Sequence, residues 1–306
     1  MKKRNIIIIL VLFMVLFNSN ISYGEENNTI VIIIDELDFQ TIDEILNKNS
    51  YGAGFININT RKPYNNEGFY FSIATGRKVG IKNEYYKGLY KDKDGAIQIL
   101  GFPELYNSLK KRNNIQLNTL GDKLEKQGIA YIGEDSSAII AANSKEYNNN
   151  WLKDKSIEYL SKSNILVLSY EIEDTESRVD ILKNYIEDFK DYNIMLIPKN
   201  VSSNMRYVLN DSLVPVIYIN GEEGLLKTQS TKREGFITAG DVYTELLSTQ
   251  GEINPKAIGS KIDTVKNEDN YKEIKVLFSK TMSLIWIATI FHGIVYLLQC
   301  YNSYFL

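Results

Sequence analysis

Thr29-Ile30-Val31-Ile32-Ile33-Ile34-Asp35-Glu36 is the stretch whose reading decides the fold. Five consecutive β-branched residues, Ile30 to Ile34, suit a strand covered on both faces, as in a parallel sheet. The run closes on two carboxylates, and open α/β sheets bind ligands beyond the carboxyl ends of their strands. Asp35 is thereby delivered to the edge where a site belongs. There it either meets a ligand or caps the following helix.

Outward from this strand, Phe39, Ile42, Ile45 and Leu46 recur at helical spacing and predict a helix ending near Asn49. Residues 53–59 read as a second strand. Residues 68–75 read as a short buried helix, although Phe69, Phe71 and Ile73 also alternate like a strand. Residues 80–114 are polar, Tyr-rich and Lys-rich, and suggest a surface excursion with a short helix. Leu117, Leu120 and Leu124 form a helical stripe before a strand at 129–132. Asp135 or Ser136 would cap a helix over 137–143, and the Asn run at 148–150 reads as a turn. Strands at 165–168 and 194–197, the second ended by Pro198, flank a helix over about 175–190. A strand at 214–219 carries Pro215 near its start, as an edge allows. Asp241 would cap the last globular helix, over 241–247. Strands alternating with helical stripes predict a doubly wound, mostly parallel α/β sheet without an internal repeat.

The 306 residues, 44% of them apolar and 24% charged, can bury a sizeable core and lack the disorder signature. Lys2-Lys3-Arg4, an apolar run over 6–17 and the small residues of Ser22-Tyr23-Gly24 read as a signal peptide over 1–24, with an uncleaved anchor as the alternative. Losing those three cations takes the formal net charge from −3 to −6. Such an acidic exported domain excludes nucleic acid as partner, since phosphate neutralisation needs a basic face. The single cysteine, Cys300, excludes an internal disulfide, a Cys-based zinc site and a thiol nucleophile in the globule. After a domain over 25–250 and a polar linker over 251–280, residues 281–299 form an uncharged apolar run. At ~1.5 Å per residue that run spans a bilayer, leaving a tail over 300–306. It places the chain in the cell membrane with its main domain on the extracellular side. Lys275 and Lys280 precede the span and nothing charged follows it, against the positive-inside tendency. Either export dominates, or the chain stops where a longer polytopic protein continues.

Three blocks carry a further signal. The first is the opening strand with Asp35. The second is Asn65-Asn66-Glu67-Gly68-Phe69-Tyr70-Phe71-Ser72-Ile73-Ala74-Thr75-Gly76-Arg77. The third is Gly224-Leu225-Leu226-Lys227-Thr228-Gln229-Ser230-Thr231-Lys232-Arg233-Glu234-Gly235-Phe236-Ile237-Thr238-Ala239-Gly240-Asp241-Val242. Together they resemble the alkaline phosphatase and sulfatase superfamily, in particular its diverged membrane-attached bacterial members. The resemblance implies an alkaline-phosphatase-like fold and a metal-binding Asp at Asp35. It also implies a Ser or Thr nucleophile opening the helix of the second block, and two metal ions held by Asp and His on strand-end loops. The departures are chemical. The single His, His292, lies in the apolar span, and the nucleophile position falls on Asn65 or Asn66. An amide supplies no alkoxide, and metal-activated attack needs a deprotonatable oxygen.

These features predict a membrane-anchored, pseudoenzyme-like domain without catalytic residues, metal or other cofactor. It would bind an anionic envelope component or scaffold a membrane partner. Asp35, Asn66, Arg77, Thr231, Lys232 and Arg233 are its candidate ligand residues, the basic ones offering charge-assisted hydrogen bonds to an anion. The alternative is a metal-dependent phosphoryl or sulfuryl ester hydrolase or transferase. It would use an oxygen-only site for a divalent cation at Asp35, with Glu36, Asp211 and Asp241 as further candidates.

Overall fold

A computed structural model describes residues 28–305 apart from 47–49, 83, 92, 94–95, 114–116, 144–147, 151–161, 172–175, 207–209 and 268; the leader read over 1–24 lies outside the described residues. β1 (Thr29–Ile34) is buried at every position. It lies between β7 (Ile165–Tyr170) and β8 (Asn193–Pro198) and runs parallel to both. β5 (Ile129–Ile132) extends the parallel set beyond β7. On the other side β9 (Leu213–Ile219) is antiparallel to β8 and to β2 (Gly52–Asn57), so β2 regains the direction of β1. β10 (Gly224–Lys227) and β11 (Phe236–Ile237) pair with β2 in parallel, and β12 (Asp263–Val265) closes the edge antiparallel to β10. The order β12-β10-β2-β9-β8-β1-β7-β5 gives a mixed, mostly parallel sheet, as the hydrophobic runs predict.

The helices are α1 (Phe39–Leu46), α2 (Asn66–Thr75), α3 (Phe102–Asn113), α4 (Leu120–Lys123), α5 (Glu176–Asp188), α6 (Ala239–Ser248) and α7 (Asn270–Phe305). α1 packs on α5 and α7, while α2 packs on α4, α6 and a 3₁₀ turn (Ser136–Ala141), so helices cover the sheet in two groups. α2 is a helix despite its alternating aromatics because both ends are specified. The Asn65 side chain accepts from Gly68 N, and Gly76 takes the left-handed conformation (φ 65°) that stops it.

Four expectations change. Pro215 sits in an interior strand rather than at an edge. Its missing N–H goes unnoticed because the opposite residue, Phe55, directs its own N–H away, to Gly235 O at 2.8 Å, and β8 has stopped pairing by then. Residues 80–114 are not a surface excursion: Ile97, Ile99, Phe102, Leu105 and Leu109 are buried. The Asn run at 148–150 is a strand, β6 (Asn148–Asn150), in a small antiparallel sheet with β3 (Leu89–Lys91) and β4 (Ala96–Ile99). The supposed linker is tied in through β12 and through α7, whose Ile274, Phe278 and Met282 bury one stripe at i, i+4, i+8.

Candidate functional site

The carboxyl ends of the parallel strands form one edge, and its two halves differ. Over β5, β7, β1 and β8 the chain gathers Asp135, Ser169, Asp35 and Lys199. Lys199 N–H bonds Ile34 O at 2.7 Å and Asn200 N–H bonds Asp35 O at 3.0 Å, keeping β1 and β8 joined past their ends. From there the Lys199 ammonium reaches over to Asp135, with Nζ 3.1 Å from Oδ2. Asp135 also accepts from Ser169 Oγ at 2.8 Å, from Ser137 N at 3.0 Å and from the Ser137 hydroxyl. Burial pushes this carboxyl up. The donors and the lysine outweigh it and hold the group below the ordinary carboxylate range. Beside it the Tyr70 hydroxyl is fully buried and meets no protein partner among the described residues. Burial first, and then the Asp135 charge, raise its pKa well above the usual phenol value.

Asp35 is only 4% exposed and does not cap α1. Asp38 does, accepting from Thr41 N at 2.8 Å and from Thr41 Oγ1 at 2.9 Å. At the position where the resemblance implies a nucleophile, Asn65 is the cap of α2 and Asn66 its first residue. The Asn65 amide accepts from Gly68 N at 2.9 Å and donates to Ile81 O at 2.7 Å. Neither nearby hydroxyl substitutes. Ser72 donates to Gly68 O at 2.6 Å while accepting from Val79 N, and Thr75 donates to Phe71 O at 2.8 Å.

This donor set does not fit the pair of divalent cations that the resemblance implies. Among the described residues no three His, Cys, Asp or Glu side chains converge. Asp135 is already matched by Lys199, Asp211 is exposed on a bend, and His292 lies on the exposed part of α7. Asp241 is fully buried and enclosed by donors. It accepts from Ser230 Oγ at 2.6 Å, Thr238 N at 2.7 Å, Thr238 Oγ1 at 2.8 Å, Ser260 N at 2.8 Å and Thr228 Oγ1 at 3.3 Å. It is not the cap of α6; Thr238 is, and Asp241 closes the capping box from the third helical position. The third sequence block is therefore a clasp that ties β10, β11, α6 and the 260 region together around one carboxylate.

Over β2 and β11 the edge is open. A pocket of ≈ 230 Å³ lies between the carboxyl end of β2, the loop after α2 and the amino end of α6. Asn59, Thr60, Arg77, Lys78, Ser230 and Gly240 are among its lining residues, and among the described residues none that lines it is acidic. Arg77 is half-buried and donates to Lys256 O at 3.0 Å, which fixes its guanidinium at the rim. The first helical N–H groups of α6 add a partial positive charge at this end, with the Asp241 carboxylate behind them.

Of the residues singled out from the sequence, Arg77 lines this pocket. Asp35, Asn66, Thr231, Lys232 and Arg233 do not. Thr231 Oγ1 donates to Phe236 O at 2.9 Å and closes the loop between β10 and β11. Lys232 occupies the left-handed region (φ 54°) at the tip of that loop, and Arg233 is exposed next to it. Ser230, from the third sequence block, joins the pocket, as do Asn59 and Thr60 without any sequence signal, and Lys199 carried none either. Asp135 read only as a cap. It does cap the 3₁₀ turn, and it carries the ion pair as well.

No family model matches the chain, and no curated protein matches it in sequence. Solved structures do. The lipoteichoic acid synthase LtaP from Listeria monocytogenes is 10% identical, with 78% of this chain and 76% of that one covered at a TM-score of 0.44. An alkaline phosphatase from the Antarctic bacterium TAB5 is 8% identical, with 74% and 99% covered at 0.39. Murine ectonucleotide pyrophosphatase/phosphodiesterase 5, solved with AMP, is 8% identical, with 77% and 98% covered at 0.38. The fold is a mixed, mostly parallel α/β sheet covered by helices, with a long apolar helix at the C-terminus.

Proposed function

We propose that this chain is an exported domain, held in a membrane by α7, that binds an anionic group in the pocket over β2 and β11 without turning over phosphoryl or sulfuryl esters. One observation carries the reading: Arg77 and Lys78 line a pocket whose other described lining groups are all uncharged. In an acidic chain, two cations beside a concave surface without a lining carboxylate leave positive potential for a ligand to satisfy. The residues present support the absence of turnover. The amide of Asn65 is held between two backbone groups, and Lys199 supplies Asp135 with the positive charge a cation would bring. α7 supports the anchoring, since residues 270–301 are long and apolar enough to cross a bilayer.

The full chain in detergent micelles tests this with inorganic phosphate, sulfate and glycerol phosphate as probes. Binding that Arg77→Ala and Lys78→Ala each weaken about tenfold, the loss of one charge-assisted hydrogen bond, is the expected result. Aryl phosphate and aryl sulfate should remain intact with Mn²⁺ or Zn²⁺ added. Stoichiometric metal, with turnover abolished by Asp35→Ala, would establish the hydrolase instead.

A further inference from the structure

α7 runs beside β2 in the same direction. Its first residue, Asn270, donates from Nδ2 to Tyr51 O at 2.6 Å, immediately before β2 begins. Two turns later Phe278 packs on Phe55 of β2, with ring centroids 5.7 Å apart, and on Phe39, just past the carboxyl end of β1, at 5.5 Å. Eight helical residues advance about 12 Å and four strand residues about 13 Å, so helix and strand keep pace. Leu277 lies so close to Gly235, beside β11, that a Cβ there would collide with it. Burial along α7 ends at Met282 and Ile285, which is level with the end of β2 at Asn57. Leu284, Ile287, Ile290, Phe291, Ile294 and Leu298 are exposed on every side beyond that point, as lipid-facing residues would be. The helix therefore leaves the domain at the carboxyl edge of the sheet, and its apolar run starts there with no flexible segment between.

We infer that the carboxyl edge faces the bilayer, and that the loop between β10 and β11, together with Lys280, docks on anionic lipid headgroups. The loop projects from that edge beside α7 and presents Lys232 and Arg233 to solvent. Its single acid, Glu234, is held by Lys227 at 3.6 Å. Thr231 pins the loop to Phe236 O, so its cations are held rather than trailing. On α7 itself Lys275 and Lys280 flank a groove immediately before the apolar run, and the Lys275 ammonium lies 4.9 Å from the Tyr271 ring centroid. Cations at the junction of a span and a headgroup layer meet lipid phosphates. The same orientation turns the β2–β11 pocket toward the membrane surface. The inference rests on α7 crossing a bilayer and not on the pocket holding an anion.

Single cysteines in a Cys300→Ser background measure the orientation in the full chain reconstituted in nanodiscs. One is Glu234→Cys in the loop between β10 and β11, and one is Glu223→Cys in the loop before β10, at the opposite edge. Each carries a fluorophore, and the nanodiscs contain headgroup-quencher lipids. The label at 234 should be quenched several-fold more than the label at 223. Lys232→Glu with Arg233→Glu should reduce that quenching in phosphatidylglycerol discs and leave it unchanged in phosphatidylcholine discs. Equal quenching at both positions, or stronger quenching at 223, overturns the orientation. Quenching at 234 that ignores both lipid charge and the reversals overturns the headgroup contact. Carbonate extraction reports separately whether α7 is inserted, and a chain released by carbonate removes the premise. Failure of the pocket to bind phosphate leaves every quenching result unchanged.

Discussion

Over β5, β7, β1 and β8, the carboxyl edge holds a buried carboxylate already matched by an ammonium, Asp135 with Lys199 at 3.1 Å. Over β2 and β11, the same edge sets Arg77 and Lys78 beside uncharged groups. In the first half the Asp135 charge is answered within the chain, by Ser137, Ser169, the Tyr131 hydroxyl and Lys199. The second leaves its balance open on the side of an anion. A carboxylate at a strand end is therefore not by itself a site, because its neighbours decide whether its charge is still available. Asp241 adjoins the open half and makes the same point, being enclosed by neutral donors from three segments.

The contrast can be broken at four places. Asp241→Ala should do most damage, since it strands several buried donors and removes a capping box. A loss of about 3–5 kcal/mol is expected in thermal or urea unfolding of the full chain. Asp241→Asn, which keeps some acceptors, should lose less. Lys199→Met comes next, at about 2–3 kcal/mol, because Asp135 is left partly buried without its counter-charge. The pH dependence carries the sign. A depressed carboxyl contributes stability above its unfolded pKa and loses it as pH falls through the folded value. Without Lys199 that loss should begin at higher pH, and the double variant with Asp135→Asn should recover part of the stability. A Lys199→Met protein as stable as the parent would show that the closed half is not held by this pair.

On the open side, Arg77→Ala with Lys78→Ala should change stability by less than about 1 kcal/mol while anion binding weakens. A large stability loss instead would make those cations structural and erase the contrast. The smallest effect belongs to the opposite edge, where Glu245 accepts from Tyr218 Oη at 2.9 Å and from Ile262 N at 2.8 Å. Burial raises its pKa against those bonds. Its contribution is therefore complete below the unfolded carboxyl pKa and declines as pH rises through the folded one. Glu245→Gln keeps an acceptor for Ile262 and a donor for the tyrosine oxygen. It should flatten that decline in stability measured from acid to neutral pH.

Strand identity was legible wherever an apolar run was long, as at Ile30–Ile34 and Ile194–Ile197, because burial on both faces demands it. Residues 80–114 were legible only in part. Ile97 and Ile99 alternate, and Phe102, Leu105 and Leu109 share a helical face, but intervening Lys and Tyr residues hide both periods. Asn65 was readable as a helix cap three residues before Gly68, and its amide already spoke against a nucleophile. Arg77 could be picked out because it follows the Thr75-Gly76 stop. Lys199 could not, since nothing in Pro198-Lys199-Asn200 says that its ammonium crosses neighbouring strand ends to reach Asp135.

By itself the sequence determined the alternation of strands and helices, the poverty of imidazole and thiol ligands, the amide at the helix start and the apolar run at the C-terminus. These are local properties, set by side-chain period, composition and residue chemistry. Tertiary structure alone decided which charges meet. Whether Asp135 faces a lysine, whether Asp241 is enclosed, whether Arg77 shares a pocket with Ser230 and on which edge α7 emerges all depend on strand order and register. Those bring together residues such as Asn270 and Tyr51, 219 positions apart, a separation over which no local pattern carries information.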